Sequence, residues 1–336
     1  MTNIANKKLT LAKRPVGDPQ PDNWALETET IDGLAEGEVL VQTALLSIDP
    51  AMRGWMNESK SYIRPVKIGE VMRALAGGKV IESRNPRFTA GDYVTGAWGV
   101  QEYAKGTGDE WQKVDTKMAP LETYVGTLGL TGMTAYFGLL DVGKPQAGET
   151  VLISGAAGAT GSMVGQIAKV KGCRVVGIAG GAEKCRYVVE ELGFDACVDY
   201  KEGRLHAEIK KHCPEGIDIF FDNVGGEILN IALAHLRLKA RVIICGAISQ
   251  YNNTTAPEGP ANYLSLLVNR ARMEGFVVLD YASRYAEAGA EMAQWMMQGK
   301  IKGKNHIVSG TVEDFPETLM MLFRGENFGK LMLKLD

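Results

Sequence analysis

TVLISGAAGATGSMVGQIAKVK, residues 150–171, decides the fold of this chain. The β-branched run Thr150–Ser154 predicts a strand, and Ser162–Lys171 predicts a helix. Between them lies a turn of Gly and Ala. Gly158 and Gly161 fit the last two glycines of a G-x-G-x-x-G turn, with Ala156 in the first position. Small residues are needed there because backbone N–H groups must approach a pyrophosphate and the helix must start close to the strand. Strand, turn and helix in this order carry more weight than a glycine string alone.

The text after the turn repeats the alternation. Strands are expected at Arg174–Ala179, Ala196–Asp199, Ile217–Asp222, Arg241–Gly246 and Gly275–Leu279. Helices are expected at Glu183–Leu192, Arg204–Lys211 and Glu227–His235. This is the pattern of a doubly wound parallel sheet, the Rossmann α/β class. The second strand ends in Gly180-Gly181-Ala182-Glu183-Lys184-Cys185-Arg186. An NAD site commonly places an acid at this strand end to hold the ribose hydroxyls. Here two glycines and then Lys184 and Arg186 stand in its place, which suits a 2′-phosphate and therefore NADPH. The competing reading makes both cations solvated helix residues.

The first ~120 residues differ in texture. Short alternating runs at Lys8–Leu11, Val39–Leu46, Lys79–Glu82 and Tyr93–Thr95 lie between Gly, Pro and Asp turns, which predicts a β sandwich or barrel. The apolar segment Thr123–Leu140 has helical spacing and is expected to link the two domains. The tail Ile307–Asp336 reads as strand and turn and is expected to rejoin the first domain.

A chain of 336 residues favours two domains. It is 45% hydrophobic and 23% charged, with a net charge of −3 and no basic stripe. Nucleic acid is therefore not an expected partner. No apolar run has the length of a membrane span, and the N-terminal text lacks an apolar signal core, so a cytoplasmic enzyme is expected. The five cysteines, Cys173, Cys185, Cys197, Cys213 and Cys245, form no C-x-x-C pair and read as buried free thiols. The first 170 residues hold neither Cys nor His, which leaves no donor set for zinc there.

Several motifs in order, AAGATGSMVGQIAK, GGAEKCR, FDNVGG, CGAISQYN and NFGK with Asp49-Pro50-Ala51-Met52-Arg53, resemble the zinc-free branch of the medium-chain dehydrogenase/reductases. Within it the chain is similar to NADPH-dependent 2-alkenal, prostaglandin and double-bond reductases, including bacterial curcumin reductases. The resemblance spans about Leu9 to Lys330. It implies a GroES-like β-barrel domain and a Rossmann domain with the active site in the cleft between them. The implied bounds are 1–124 for the first domain, 125–302 for the NADPH domain and 303–336 for the returning segment.

The resemblance also implies the site. Gly158, Ala159, Thr160 and Gly161 would line the pyrophosphate, Lys184 would hold the 2′-phosphate, and Tyr200 would lie near the adenosine. Asn223, the run Cys245, Gly246, Ala247, Ile248, Ser249, Gln250 and Tyr251, then Phe276, Val277 and Val278, and finally Asn327 would complete the cofactor contacts. Tyr251 would be the catalytic residue, beside the nicotinamide and the substrate carbonyl. The alternatives are a loop tyrosine at 251, a turn cap at Asn223 and a turn residue at Asn327. Arg53 is read as a salt-bridge residue of the barrel, and the methionines as core, with Met133 the one nearest the expected cleft. The family usually has Tyr where this chain has Ala51, which implies a larger or differently shaped pocket. Zinc-dependent cousins carry Gly-His-Glu near Gly69–Val80 with a metal-binding Cys before it, and this chain has neither.

Without a metal Lewis acid, a conjugated carbonyl is the easier substrate, because charge from hydride addition spreads to the carbonyl oxygen. A neutral phenol such as Tyr251 can hydrogen-bond that oxygen. The expected function is therefore reduction of α,β-unsaturated aldehydes and ketones. The alternatives are an NADPH quinone oxidoreductase and a non-catalytic NADPH-binding protein. A homodimer is expected, with Gly275–Leu279 as a free edge strand.

Overall fold

The computed structural model describes residues 3–257 and 259–336. Contacts divide the chain into two compact units. One runs to Gly126 and resumes at Asn305–Asp336, and the other is Thr127–Lys304.

In the first unit β1 (Ile4–Leu11) pairs antiparallel with β2 (Trp24–Ile31). The main sheet begins with β3 (Val39–Ser47), followed by the short helix α1 (Ala51–Trp55), then β4 (Ala76–Ser83), β5 (Tyr93–Gly96), β6 (Tyr103–Gly106), β7 (Gln112–Val114) and α2 (Leu121–Val125). β3 is buried along almost its whole length because it has neighbours on both sides. β4 covers one edge, and β6 shares the other with a strand from the end of the chain. Leu11, Leu46, Met52, Met56 and Met72 fill the core beneath it.

The second unit opens with α3 (Leu130–Phe137), which runs into a π-helical turn over Gly138–Gly143. The segment read as one helical stretch, Thr123–Leu140, is thus broken between α2 and α3. The chain folds back on itself here, and a Cβ on Gly132 would lie 1.7 Å from the Thr127 carbonyl oxygen. Then come β8 (Thr150–Ser154), α4 (Ala159–Val170), β9 (Arg174–Ala179), α5 (Ala182–Glu190), β10 (Ala196–Asp199), α6 (Leu205–His212), β11 (Ile217–Asp222), α7 (Gly226–Leu233), β12 (Leu236–Ile244), α8 (Leu264–Asn269), β13 (Arg272–Gly275) and α9 (Tyr285–Met297). The strands are parallel in the order β10-β9-β8-β11-β12-β13. This is the doubly wound dinucleotide-binding order, with its reversal between β8 and β11.

Several boundaries differ from the sequence reading. α4 starts at Ala159 rather than Ser162, because the turn-forming text of its first residues hides a helical turn. β12 begins at Leu236, five residues before the expected Arg241, across a register shift opposite Ile217 and Ile219. The last strand is Arg272–Gly275, not Gly275–Leu279, and Val278 starts a 3-10 turn. The apolar text after Gly275 marks inward packing rather than strand. Phe276 lies edge-on to Phe221 at 6.3 Å, and Val278 is buried.

The chain then returns to the first unit with β14 (Asn305–Gly310), α10 (Phe315–Arg324) and β15 (Lys330–Leu335). β15 pairs parallel with β14 and antiparallel with β3. α10 was not anticipated, although its signals are in the text. Thr311 and Asp314 form a capping box, Pro316 sits in the first turn, and Phe315, Leu319 and Leu322 share a buried face. No helix among the described residues is long and apolar enough to cross a membrane.

Candidate functional site

The glycine turn leaves the C-terminal end of β8. Gly155, not the Ala156 position, takes the left-handed backbone of the tight turn, with φ +63°. Ala156 is buried and donates its N–H to the Ile178 carbonyl at 3.0 Å, stitching β8 to β9. Gly158 caps α4 without any side-chain cap, so the amides of the first turn, Ala159, Thr160 and Gly161, keep the N-terminal partial positive charge of the helix. Gly161 is required by packing, since a Cβ there would lie 2.3 Å from the Gly155 carbonyl oxygen. These residues fit a pyrophosphate without rearrangement.

The ends of β9 and β10 form a second group. Asp199 accepts the N–H of Gly181 at 2.8 Å and that of Lys201 at 3.0 Å, tying the two strand ends together. The Tyr200 ring packs on Gly180, where a Cβ would meet it at 2.8 Å. Lys184 lies in the first turn of α5 and is partly buried. Burial and then the charge of Lys201 push its ammonium below the ordinary lysine range, while Glu183 opposes the shift. Two cations in one neighbourhood suit a dianionic phosphate. Lys201 was absent from the sequence candidates, although it sits next to Tyr200. Arg186 is exposed, as the solvated-helix reading has it. Beside Tyr200 a cavity of about 480 Å³ is lined by Arg204, Leu205, Glu227, Ile228 and Ile231, among others. Of the sequence candidates only Tyr200 reaches it.

The third group spans the switch point of the sheet. The Ser154 hydroxyl donates to Asp222 Oδ1 at 2.7 Å and accepts the Asn223 N–H at 2.8 Å. Asn223 Nδ2 donates to the Ser154 carbonyl at 2.7 Å. Asp222 also accepts the N–H groups of Val224 and Gly225. Its carboxyl is held above the usual range by burial, against the pull of those donors. Asn223 is thus a turn-fixing residue at the switch point of the sheet.

Cys245–Tyr251 lies along this turn. The N–H groups of Cys245 and Gly246 reach the Asp222 carbonyl, that of Ile248 reaches the Asn223 carbonyl, and that of Ser249 reaches the Val224 carbonyl. The Cys245 thiol is pushed up to about 12 by burial and by the nearby Asp222 charge, so it stays a thiol. Ala247 donates its N–H to the Tyr251 hydroxyl oxygen at 3.1 Å. A Cβ on Gly246 would lie 3.0 Å from that oxygen. The phenol is therefore held against its own loop by an amide donor, not loose on the surface.

The remaining candidates are placed differently. The Phe276 ring packs against Phe221 and against Gly138, where a Cβ would lie 2.4 Å from it, so its side chain is spent on the core. Val277 follows it, and Val278 accepts the Tyr285 hydroxyl on its carbonyl at 2.9 Å. Asn327 belongs to the first unit, and its amide closes its own turn on the Gly329 carbonyl at 2.9 Å. Met133 is buried in the second unit facing Gly289 of α9. Arg53 is buried in the first unit, but its donors go to the carbonyls of Pro15 and Gly17 and to Asn57 rather than into a salt bridge. The buried ion pair of that unit is Lys330–Asp49 at 2.9 Å. Lys330 also donates to the Ile48 carbonyl at 2.7 Å, and the Ser47 hydroxyl donates to Asp49. Among the described residues no cluster of three or more His, Cys, Asp or Glu could hold a metal ion.

Comparison with known proteins agrees with this architecture. Residues 7–114 match the family described as the N-terminal domain of oxidoreductase, and residues 159–295 match the family described as zinc-binding dehydrogenase. The NADPH-dependent curcumin reductase of Escherichia coli (strain K12) is 42% identical over 98% of this chain and 96% of its own length. The NADP-dependent 2-alkenal reductase of Nicotiana tabacum is 39% identical over 97% of this chain and 93% of its own. The crystal structure of CurA from Vibrio vulnificus in complex with NADPH superposes with a TM-score of 0.93 at 43% identity. It covers 98% of this chain and 99% of that one.

Proposed function

Because the chain belongs to the zinc-free medium-chain dehydrogenase/reductases and is an NADPH-dependent oxidoreductase, we propose that it reduces the carbon–carbon double bond of α,β-unsaturated aldehydes and ketones. The observation that carries this reading is the Tyr251 phenol, whose oxygen receives the Ala247 N–H. A donor to a hydroxyl oxygen strengthens that hydroxyl as a donor in turn.

The first turn of α4 would hold the pyrophosphate, and Lys184 with Lys201 would hold the 2′-phosphate. Tyr200, Leu205 and Ile228 would form an apolar wall for the base. Bound NADPH supplies a hydride, here to the β-carbon of the substrate, and a proton from solvent completes the α-carbon. The chain's own work is to stabilise the negative charge that reaches the carbonyl oxygen. Tyr251 does so by donating a hydrogen bond as a neutral phenol. Placement of the reacting carbons contributes the larger share of the rate.

The substrate is a small molecule, and a second copy of the chain is the proposed partner. The open edge of β13 and the exposed Leu264, Leu267 and Val268 of α8 support self-association. The test of the activity is NADPH consumption by the purified protein with a linear 2-alkenal, a linear enone and a benzoquinone. Turnover of the first two well above the third is expected. NADPH binding without oxidation on any of them, or turnover of quinone alone, would overturn the reading.

A further inference from the structure

Two of the five cysteines, Cys185 and Cys197, are brought face to face between α5 and β10. Side chains alternate across a strand. Ala196 and Val198 of β10 join Leu205 and Ile209 of α6 in one core cluster, so Cys197 points to the opposite face, where α5 packs. Cys185 stands in the first turn of α5, three residues before the buried Val188 and on the same face of the helix. The two thiols share a hydrogen bond, and both reach the Ala179 backbone at the end of β9. Neither is fully enclosed, whereas Cys173 and Cys213 are buried.

The two thiols are chemically unequal. The hydrogen bond from Cys197 holds Cys185 below the ordinary thiol range, against burial and the charge of Asp199. The same bond, then burial and the Cys185 charge, push Cys197 well above that range. Burial pushes Cys173 and Cys213 up to about 11 each. The thiolate is the reactive form of cysteine. Cys185 is therefore the sulfur set to attack an oxidant, and Cys197 is the sulfur beside it that keeps its proton. The pair also borders the candidate phosphate contacts. Lys184 directly precedes Cys185, and Asp199, two residues after Cys197, holds the N–H groups of Gly181 and Lys201.

We propose that Cys185 and Cys197 form a reversible disulfide under hydrogen peroxide, and that the closed pair binds NADPH less well. The Cys185 thiolate attacks one peroxide oxygen and the O–O bond breaks. Cys185 becomes a sulfenic acid, and the departing hydroxide takes up the proton that the thiol released. The Cys197 sulfur then attacks the Cys185 sulfur, and the displaced hydroxide leaves as water with the Cys197 proton. Two thiols lose two electrons in all, and one peroxide becomes two waters. A dithiol reverses the bond by exchange and is itself oxidised to a disulfide. A covalent bond draws the sulfurs closer than a hydrogen bond leaves them, so closure pulls the first turn of α5, with Lys184, toward β10. The loss of affinity rests on the reading of Lys184 as a 2′-phosphate contact.

The test treats purified wild type, Cys185→Ser and Cys197→Ser with hydrogen peroxide. Each is alkylated and digested without reductant for mass spectrometry, and NADPH and NADH binding is titrated before and after treatment. In the wild type the peptides of Cys185 and Cys197 are expected to be linked, lighter by two hydrogens than their sum. NADPH affinity is expected to fall about 10-fold or more, the loss of one charge-assisted hydrogen bond. NADH binding should hardly change, and dithiothreitol should restore the wild type. Before treatment both variants are expected to bind NADPH within about twofold of the wild type. Cys185→Ser should not respond to peroxide, and Cys197→Ser should accumulate a Cys185 sulfinic acid that dithiothreitol does not reverse. Unreacted thiols in the wild type, a sulfinic acid at Cys185 without the link, or a link to another cysteine would overturn the proposal. So would a linked protein with unchanged NADPH affinity when Lys184→Ala weakens that affinity. If Lys184→Ala binds NADPH as the wild type does, the phosphate reading fails separately, and the linked peptides alone decide the pair.

Discussion

Lys184 and Tyr251 are the residues on which the proposed cofactor contacts and chemistry would turn. Lys184 shares its surroundings with Lys201, whose charge, after burial, disfavours that of Lys184. Lys184→Ala is expected to weaken NADPH binding about 10- to 150-fold, the range of a charge-assisted hydrogen bond. Lys201→Ala should act in the same direction, and NADH binding should barely change in either. Fluorescence titration with both cofactors checks this, and equal losses for the two would remove the lysines from phosphate recognition. For Tyr251→Phe, turnover of an enone is expected to fall about 100-fold, the low end for a positioned acid, since water can replace a phenol. NADPH affinity should stay near that of the wild type, and undiminished turnover would exclude the phenol from the chemistry. At this scale the glycine turn, Lys184 and Asn223 could be read from local text, because each follows a strand end whose apolar run is unmistakable. Lys201 could not, because its meaning depends on Lys184, which the ends of β9 and β10 bring near it.

At the scale of elements, the Lys330–Asp49 pair joins the start of β15 to the turn after β3 across nearly the whole length of the sequence. Both side chains are almost fully enclosed, at 5% and 10% exposure. Removing one partner of such a pair leaves a buried charge and costs about 3–5 kcal/mol. Lys330→Met is therefore expected to lower the melting temperature by roughly 6–20 °C, taking about 2–4 °C per kcal/mol for a domain of this size. Thermal denaturation followed by circular dichroism measures it, and a shift of only a degree or two would show that the pair contributes little. The inner strands β8, β9 and β11 are legible to the residue, because strands buried on both faces read as continuous apolar runs, and the half-buried edge strand β10 matches its expected bounds as well. β13 was misplaced because an edge strand with exposed residues carries no such run. α10 departs from the strand and turn text expected over Ile307–Asp336, because Phe315, Leu319 and Leu322 form one buried helical face behind the Thr311–Asp314 capping box.

For the whole molecule, acid sensitivity follows from a few carboxylates spread over both units. Burial would raise Glu149, but hydrogen bonds from Arg241 and the Gln146 N–H hold it below its ordinary value. Burial likewise opposes the lowering of Asp195, which the Val175 N–H and Lys169 bring about. Glu29 is lowered mainly by Lys8. Such groups contribute stability that is fully present above their unfolded values, near pH 4 to 4.5, and that is lost as pH falls through the folded ones. Asp222, raised by burial, acts with the opposite sign, and its contribution is lost as pH rises through its folded value. Glu149→Gln is expected to cost about 1.5–3 kcal/mol at neutral pH. Its melting temperature should converge on that of the wild type below about pH 4.5. Parallel curves down to pH 3 would refute the assignment.

Local sequence by itself determined the parallel sheet, the glycine turn between β8 and α4, and the reading of a phosphorylated cofactor. Burial on both faces and backbone approach to a phosphate impose residue types over a handful of adjacent positions. Only the tertiary structure decided which carboxylates are already engaged and where β15 closes on β3. Hydrogen-bond saturation and charge balance are sums over neighbours that the chain brings together from hundreds of residues apart.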